Sequence, residues 1–173
     1  MKGDLAMATA VIATGGEGEL LWFGGGTVRF KVRSKETGGA FAMIEDSAPR
    51  GKTTPLHAHP TFEETFYVLH GEMLFHLDGK EASCGAGSAV SVPRGAAHAF
   101  LVTSDTASFL TVFTPGDVAE AFLREGGDPA TSADADPPPL DIPRVIAAGE
   151  KTRGMVALGP PPFAAVAGQS RSA

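Results

Sequence analysis

The chain has 173 residues, of which 43% are hydrophobic and 20% charged, so it can bury one core and is not a disordered chain. Its formal net charge of −6, without any cluster of lysine or arginine, disfavours a nucleic-acid partner. The single cysteine, Cys84, excludes a disulfide framework and a cysteine-rich zinc site.

Residues 1–18 show little pattern, and we expect a flexible N-terminus there. From residue 27 onward apolar and polar residues alternate, which is typical of half-buried strands. About eight short strands follow one another at roughly ten-residue spacing, and Asp78-Gly79 is a strong two-residue hairpin turn. The pattern predicts an all-β antiparallel sandwich or barrel over residues 19–114.

The composition changes after Thr114-Pro115-Gly116. Residues 117–124 have helical spacing, with an apolar stripe of Val118, Ala121 and Phe122, and residues 141–153 could form a second helix. We therefore expect residues 115–163 to form a helical, proline-rich extension that packs on the barrel. The last segment, 164–173, is predicted to be a disordered tail.

The residues that bear chemistry are concentrated between positions 57 and 98. His57 and His59 are two residues apart, so on an extended segment both imidazoles lie on the same face. Glu63 and Glu64 open the next predicted strand, and His98 opens another. Taken singly, each is better explained by a place on the surface or in the core than by a ligand role. Taken together, three imidazoles and one carboxylate suit one divalent Fe, Ni, Co, Mn, Cu or Zn ion, whose identity stays open.

Two spaced patterns run through the same region: Gly51-x5-His57-x-His59-x4-Glu64-x6-Gly71 and Gly87-x5-Pro93-x-Gly95-x2-His98. Both resemble the motifs of the cupin superfamily, and the chain looks similar to single-domain bacterial cupins of the quercetin-dioxygenase-like kind. The resemblance covers about residues 40–114. It implies a double-stranded β-helix, the jelly-roll barrel of cupins, followed here by one or two short C-terminal helices.

The resemblance also implies the metal ligands, which would be His57, His59, Glu64 and His98. Glu63 remains open as a substitute for Glu64. One position departs from the family's pattern, since Val102 stands where the second motif usually ends in asparagine. That asparagine is not a ligand, so the departure predicts a more apolar pocket wall and leaves metal binding intact.

Strand alternation, taken from the inward direction of Glu64 and His98, predicts a substrate pocket. Its six expected wall residues are Phe66, Val68, Met73, Phe75, Phe100 and Val102. The alternative for all six is plain barrel core. We expect His70, His76 and Cys84 to take no part in the chemistry.

The resemblance implies an enzyme, most directly a dioxygenase acting on a small aromatic, enol or β-dicarbonyl substrate, with Glu64 also serving as general base. Two alternatives stay open: a non-oxidative isomerase, cyclase or decarboxylase that uses the metal as a Lewis acid, and a non-catalytic small-molecule-binding barrel.

Cupins commonly pair through an N-terminal strand, so residues 19–33 predict a homodimer. No apolar run reaches the roughly 18 to 20 residues of a membrane span, which predicts no membrane partner and a cytoplasmic location.

Overall fold

A computed structural model of the chain describes residues 8–132, 135 and 137–163. The predictions for residues 1–7 and for the tail at 164–173 lie outside the described residues. The described part contains twelve strands, β1 (Leu20–Phe23), β2 (Gly26–Val32), β3 (Ala42–Pro49), β4 (Leu56–Ala58), β5 (Glu63–His70), β6 (Glu72–Leu77), β7 (Lys80–Gly85), β8 (Ala89–Val92), β9 (His98–Val102), β10 (Thr106–Thr114), β11 (Asp128–Pro129) and β12 (Val156–Gly159). It also contains two helices, α1 (Asp117–Gly126) and α2 (Ile142–Thr152). The prediction of an all-β fold with short C-terminal helices is confirmed.

The strands form two antiparallel sheets with a shared apolar interior. The larger sheet has the order β11-β1-β2-β3-β10-β5-β8, and the smaller one β12-β4-β9-β6-β7. A central core cluster draws Phe66 and Phe109 from the larger sheet and Phe75 and Phe100 from the smaller one. Because side chains alternate along a strand, each sheet turns one apolar face inward, and the two faces close on each other.

The predicted hairpin between β6 and β7 is confirmed in its details. Asp78 and Gly79 both have positive φ, at 47° and 79°, which is what a two-residue turn of the I′ type requires. Glycine adopts this conformation freely, and aspartate is among the few other residues that tolerate it. The turn sets the register in which Leu77 pairs with Lys80.

Helix α1 covers a second core cluster, but with a different stripe from the predicted one. Its buried residues are Ala119, Phe122, Leu123 and Gly126, while Ala121 is exposed. The inclusion of Ala121 was wrong because the cluster meets the helix one position further round, along the i, i+3, i+4, i+7 row.

Among the described residues no helix is long and apolar enough to span a membrane. The cytoplasmic location stays a prediction.

The segment after residue 114 adds a strand to each sheet. β11 pairs with β1 on the larger sheet, and β12 pairs with β4 on the smaller one. Between them α2 packs against α1 through a small cluster of Phe122, Ala148 and Met155. The predicted extension thus contributes backbone hydrogen bonds as well as helix packing, and β12 brings the C-terminal chain next to His57.

Residues 19–33, predicted to be shared between protomers, pair within their own chain. β1 lies between β2 and β11, and β2 lies between β1 and β3. Both hydrogen-bonding edges of β1 therefore have partners inside the chain, although β11 covers only Leu21 and Trp22. The homodimer stays a prediction.

Gly71 joins β5 of one sheet to β6 of the other, and we expect Gly71→Ala to destabilise the fold strongly. Its φ is +82°, and a Cβ built there would lie 2.2 Å from the backbone oxygen of Thr106. Positive φ alone costs an alanine about 1–2 kcal/mol, and the clash with backbone adds to it. We expect the free energy of unfolding to fall by about 3 kcal/mol or more, measured by urea denaturation.

Gly87→Ala is the matched control, since Gly87 has a φ of +89° but open space around its missing Cβ. It should lose only the conformational part, about 1–2 kcal/mol. Equal losses in the two variants would show that the contact with Thr106 is not what makes Gly71 necessary.

Candidate metal centre

Four buried side chains, His57, His59, Glu64 and His98, meet between the two sheets. One potential ligand atom from each lies within 4.8 Å of those of the other three. A divalent ion bound by imidazole nitrogen and carboxylate oxygen sits about 2.0–2.2 Å from each ligand, so two ligand atoms of one ion are at most about 4.4 Å apart. A contraction of a few tenths of an ångström, about 0.4 Å at most, lets these four atoms share one ion. The structure therefore brings together all four residues that the sequence singled out as ligands.

The strands explain the convergence. His57 on β4 lies directly opposite His98 on β9 in the smaller sheet, with ring centroids 4.1 Å apart. His59 follows immediately after β4, and its ring stacks on Phe62 with centroids 4.4 Å apart. Glu64 reaches the same point from β5 of the larger sheet. The site thus spans both sheets, which is why no single stretch of sequence contains it.

The open choice between the two glutamates is decided by strand alternation. Along β5, Glu64 is buried and Glu63 is exposed. Phe66 and Val68, which share the face of Glu64, are buried as well. Glu63 points away from the three histidines and is not part of the cluster.

All three imidazoles are held in the same way through their Nδ1 atoms. The Nδ1 of His57 lies 2.8 Å from the carbonyl oxygen of Pro55, and that of His98 lies 3.0 Å from the carbonyl oxygen of Ala96. The Nδ1 of His59 lies 2.6 Å from the carbonyl oxygen of Gly154. A carbonyl can only accept, so Nδ1–H donates and the lone pair of the neutral ring is on Nε2. This orientation is the one found in metal-binding histidines.

Glu64 faces two of these Nε2 atoms with one oxygen. Its Oε2 lies 3.2 Å from Nε2 of His59 and 3.0 Å from Nε2 of His98. Burial acts to raise the pKa of the Glu64 carboxyl, but the charge and hydrogen bonds of His59 and His98 outweigh burial and hold that pKa well below its usual range. The group is therefore an anion at neutral pH.

The histidines differ in their own titration. Burial lowers the pKa of His57 to about 3, with help from the neighbouring His98 and His59, so this ring is neutral at physiological pH. Burial also acts to lower the pKa of His98, but the hydrogen bond that its Nε2–H donates to the Glu64 carboxylate, with the charge of that carboxylate, prevails and raises it. Ligating histidine must be neutral and ligating carboxylate ionised.

The four residues fit one divalent transition metal. They offer three imidazole nitrogens and one carboxylate, all buried, with the imidazoles oriented by backbone carbonyls. Such a mixed set suits several first-row ions and leaves coordination positions open. The donor set does not select one ion among them.

The site opens into a mainly apolar cavity. Its wall includes His57, His59 and Glu64, and most of the remainder is aromatic or aliphatic, from Phe23, Val28, Ile44, Pro55, Phe66, Phe100, Phe109, Phe113, Phe122, Leu123, Ile142, Val145 and Met155. The two helices supply Phe122, Leu123, Ile142 and Val145, and Met155 follows α2. A concave apolar site with few polar groups is the usual form of a small-molecule pocket.

Two of the six predicted wall residues, Phe66 and Phe100, line this cavity. The other four, Val68, Met73, Phe75 and Val102, do not; they are almost completely buried in the central core cluster. For these four the alternative, plain barrel core, describes the structure. Val68 and Val102 lie further along β5 and β9 than the cavity extends, and no residue of β6, which carries Met73 and Phe75, lines the cavity. Val102 consequently has no effect on the polarity of the pocket wall.

Five polar wall residues were not predicted: Asp46, Lys52, Thr53, Thr54 and Thr111. Two of them had a signal. Asp46 occupies an inward position of β3, between the buried Ile44 and Ala48. Lys52 stands in the unspecified part of the first spaced pattern, next to Gly51.

The remaining histidines and the cysteine lie apart from the four-residue cluster. His70 is exposed at the end of β5, and His76 is 3.5 Å from Glu81 on the β6–β7 hairpin. Cys84 is buried in the central core cluster, and burial raises the pKa of its thiol. That none of the three takes part in the chemistry stays a prediction.

Comparison with known proteins fits this geometry. Residues 43–113 match the family described as "Cupin domain". Over these residues the chain is similar to a cupin domain. The match spans β3 to β10 and includes all four residues of the candidate metal centre. The resemblance inferred from the two spaced patterns is confirmed.

One curated relative of the cupin domain is a quercetin 2,3-dioxygenase from Bacillus subtilis, 32% identical over 122 residues. The alignment covers 70% of this chain but only 36% of that protein, so this chain spans about a third of the relative's length.

Solved structures show the same fold. The protein KdgF from a Halomonas species has a TM-score of 0.56 at 17% identity, with 62% of this chain and 94% of that one covered. The polyketide cyclase RemF from Streptomyces resistomycificus has a TM-score of 0.50 at 29% identity, with 62% and 80% covered. Two of these proteins are named as enzymes with different reactions, an oxidation for the quercetin 2,3-dioxygenase and a cyclisation for RemF.

Proposed function

We propose that this cupin is a metal-dependent dioxygenase acting on a small aromatic, enol or β-dicarbonyl substrate. The observation that carries the proposal is the buried set of His57, His59, Glu64 and His98 at the wall of an apolar cavity. Similarity to a quercetin 2,3-dioxygenase supports the oxidative reaction. The ion held by these residues would supply a Lewis acid and, if redox-active, access to dioxygen chemistry.

The chain's own residues would prepare the substrate. The aromatic wall, including Phe66, Phe100 and Phe109, excludes water and suits a planar apolar ligand. Glu64 would act as general base, accepting the proton of a substrate hydroxyl. Among the described residues only its Oε2 is hydrogen-bonded, so Oε1 retains its full capacity as an acceptor.

The test is oxygen uptake by protein reconstituted separately with Fe, Mn, Co and Ni, supplied with a flavonol or a β-diketone. We expect oxygen uptake that depends on both metal and substrate. Mass spectrometry of the products should show that both atoms of dioxygen are incorporated. The matched control is Glu64→Gln protein treated identically. Substrate conversion without oxygen uptake would contradict the dioxygenase.

The second candidate is a non-oxidative cyclase or isomerase, in which the metal only polarises a carbonyl. It is favoured by the 29% identity to a polyketide cyclase whose structure has the same fold. Zinc distinguishes the two, because a redox-inert ion should sustain this reaction and not the oxidative one. Product of unchanged elemental composition, formed with zinc and without oxygen, would establish the alternative.

A further inference from the structure

A second polar group lines the cavity, separate from the four-residue metal centre. It consists of Asp46 on β3, Thr111 on β10 and Lys52 in the loop between β3 and β4. All three residues are buried, and the Lys52 side chain is only 4% exposed. Lysine is almost never buried this far unless it is paired, so its surroundings require an explanation.

The ammonium of Lys52 is only loosely paired. Its Nζ lies 3.9 Å from Oδ1 of Asp46, which is beyond hydrogen-bonding distance. Among the described residues no other acceptor is hydrogen-bonded to it. The ammonium has three N–H donors, and leaving them unsatisfied inside an apolar cavity is unfavourable. An oxygen atom from a bound ligand would supply a hydrogen-bond acceptor for this ammonium.

The surroundings of Lys52 are built to hold it in this place. The hydroxyl of Thr111 donates to Oδ2 of Asp46 at 2.8 Å, which fixes the carboxylate beside the lysine. Gly26 on β2 leaves room for the side chain, since a Cβ there would lie 2.8 Å from Nζ. The Nζ is 6.0 Å from the centre of the Phe100 ring, which also lines the cavity.

Charge favours an anion as the occupant. Burial raises the pKa of Asp46 to about 6, and burial likewise lowers the pKa of Lys52, although each group's charge opposes the change in the other. An anionic oxygen arriving at Nζ would compensate the buried positive charge. A cationic ligand would meet the ammonium with like charge.

We propose that Lys52, positioned by Asp46 and Thr111, is a recognition site for a carboxylate or phenolate oxygen of the substrate. The proposal rests on the proposed function, because it assigns the other end of the same molecule to the metal centre. The substrate class is therefore a small, mostly apolar molecule with a metal-chelating pair of oxygens and a separate anionic oxygen. Lys52 would contribute specificity, and the metal centre the reaction.

Two chelating probes that differ by one carboxylate test this directly. Pyromeconic acid is a hydroxypyranone without a further charge, and comenic acid is the same ring with a carboxylate distant from its chelating oxygens. Calorimetric titration of the manganese-loaded protein should show comenic acid binding at least about ten-fold more tightly. In Lys52→Met the two probes should bind within about two-fold of each other, with pyromeconic acid little affected.

Further variants keep the test decisive. Lys52→Arg retains the charge and should retain part of the preference, and Lys52→Met combined with Asp46→Asn removes both charges if the single variant does not fold. The exposed Lys80, changed to methionine, is the matched control and should behave as wild type. A preference that is absent in the wild type, or survives in Lys52→Met, would overturn the proposal. Loss of the metal centre has a different signature, since it weakens both probes while the metal-free protein still prefers comenic acid.

Discussion

Glu64→Gln is expected to reduce bound metal to less than about a tenth of the wild-type amount under the same loading conditions. Glu64 supplies the only anion of the cluster, and its Oε2 lies within 3.2 Å of Nε2 of both His59 and His98. Glutamine has the same shape but no charge, and its amide N–H groups would donate to those Nε2 atoms and occupy them. Elemental analysis after reconstitution with manganese or iron and desalting measures the result.

Glu63→Gln is the matched control, because it makes the same chemical change one residue earlier on β5 at an exposed position. It should bind metal as the wild type does. Circular dichroism and a thermal melt would establish that both variants are folded. Retention of metal in Glu64→Gln, or its loss in Glu63→Gln, would contradict the assignment of the carboxylate ligand.

The sequence singled out the four candidate ligands through the spacing of the two cupin-like patterns, and the structure brings all four together. Within that set, the two-residue spacing of His57 and His59 is a local feature, and so is the alternation along β5 that leaves Glu64 buried and Glu63 exposed. The hairpin at Asp78-Gly79 was predictable for a similar reason, since two residues with positive φ determine the turn. The turn and the strand faces are encoded in short stretches of backbone, whereas the meeting of His57, Glu64 and His98 from three strands follows from the fold that the resemblance implied.

The pocket wall was only partly predictable, because depth along a barrel is not a property of a strand. Phe66 and Val68 both point inward from β5, yet Phe66 lines the cavity and Val68 is packed in the core. What separates them is the point at which side chains from the opposite sheet fill the interior, and Phe75 and Val102 contribute to that filling. Alternation gives the face of the strand but not this boundary.

The polar group at Lys52 shows a different limit. Its partners lie on β3 and β10, six and 59 positions away in the chain, and are brought together by the pairing of those two strands. The aspartate at an inward strand position was the visible sign, since a buried carboxylate requires a partner. That Lys52 and Thr111 are the partners of this carboxylate depends on the topology of the sheet.

The C-terminal extension was also underestimated, and it leads to the second large effect that we expect. The carbonyl oxygen of Gly154, between α2 and β12, accepts the Nδ1–H of His59 at 2.6 Å. The carbonyls that hold His57 and His98 come from two residues earlier in the chain, whereas Gly154 is 95 residues from His59. One metal-ligand candidate is therefore oriented by a segment outside the matched cupin domain.

Gly154→Ala is expected to weaken metal binding by about 10- to 100-fold, the usual effect of losing a partner that orients a ligating histidine. A Cβ at this position would lie 2.7 Å from Cβ of Phe122, so the backbone must shift and the bond to His59 must lengthen. Competition with a chromophoric chelator measures the dissociation constant. Gly159→Ala, in the neighbouring strand with open space around its missing Cβ, is the control and should leave the affinity unchanged. A Gly154→Ala protein with a lower melting temperature but wild-type metal affinity would mean that the extension stabilises the barrel without orienting the site.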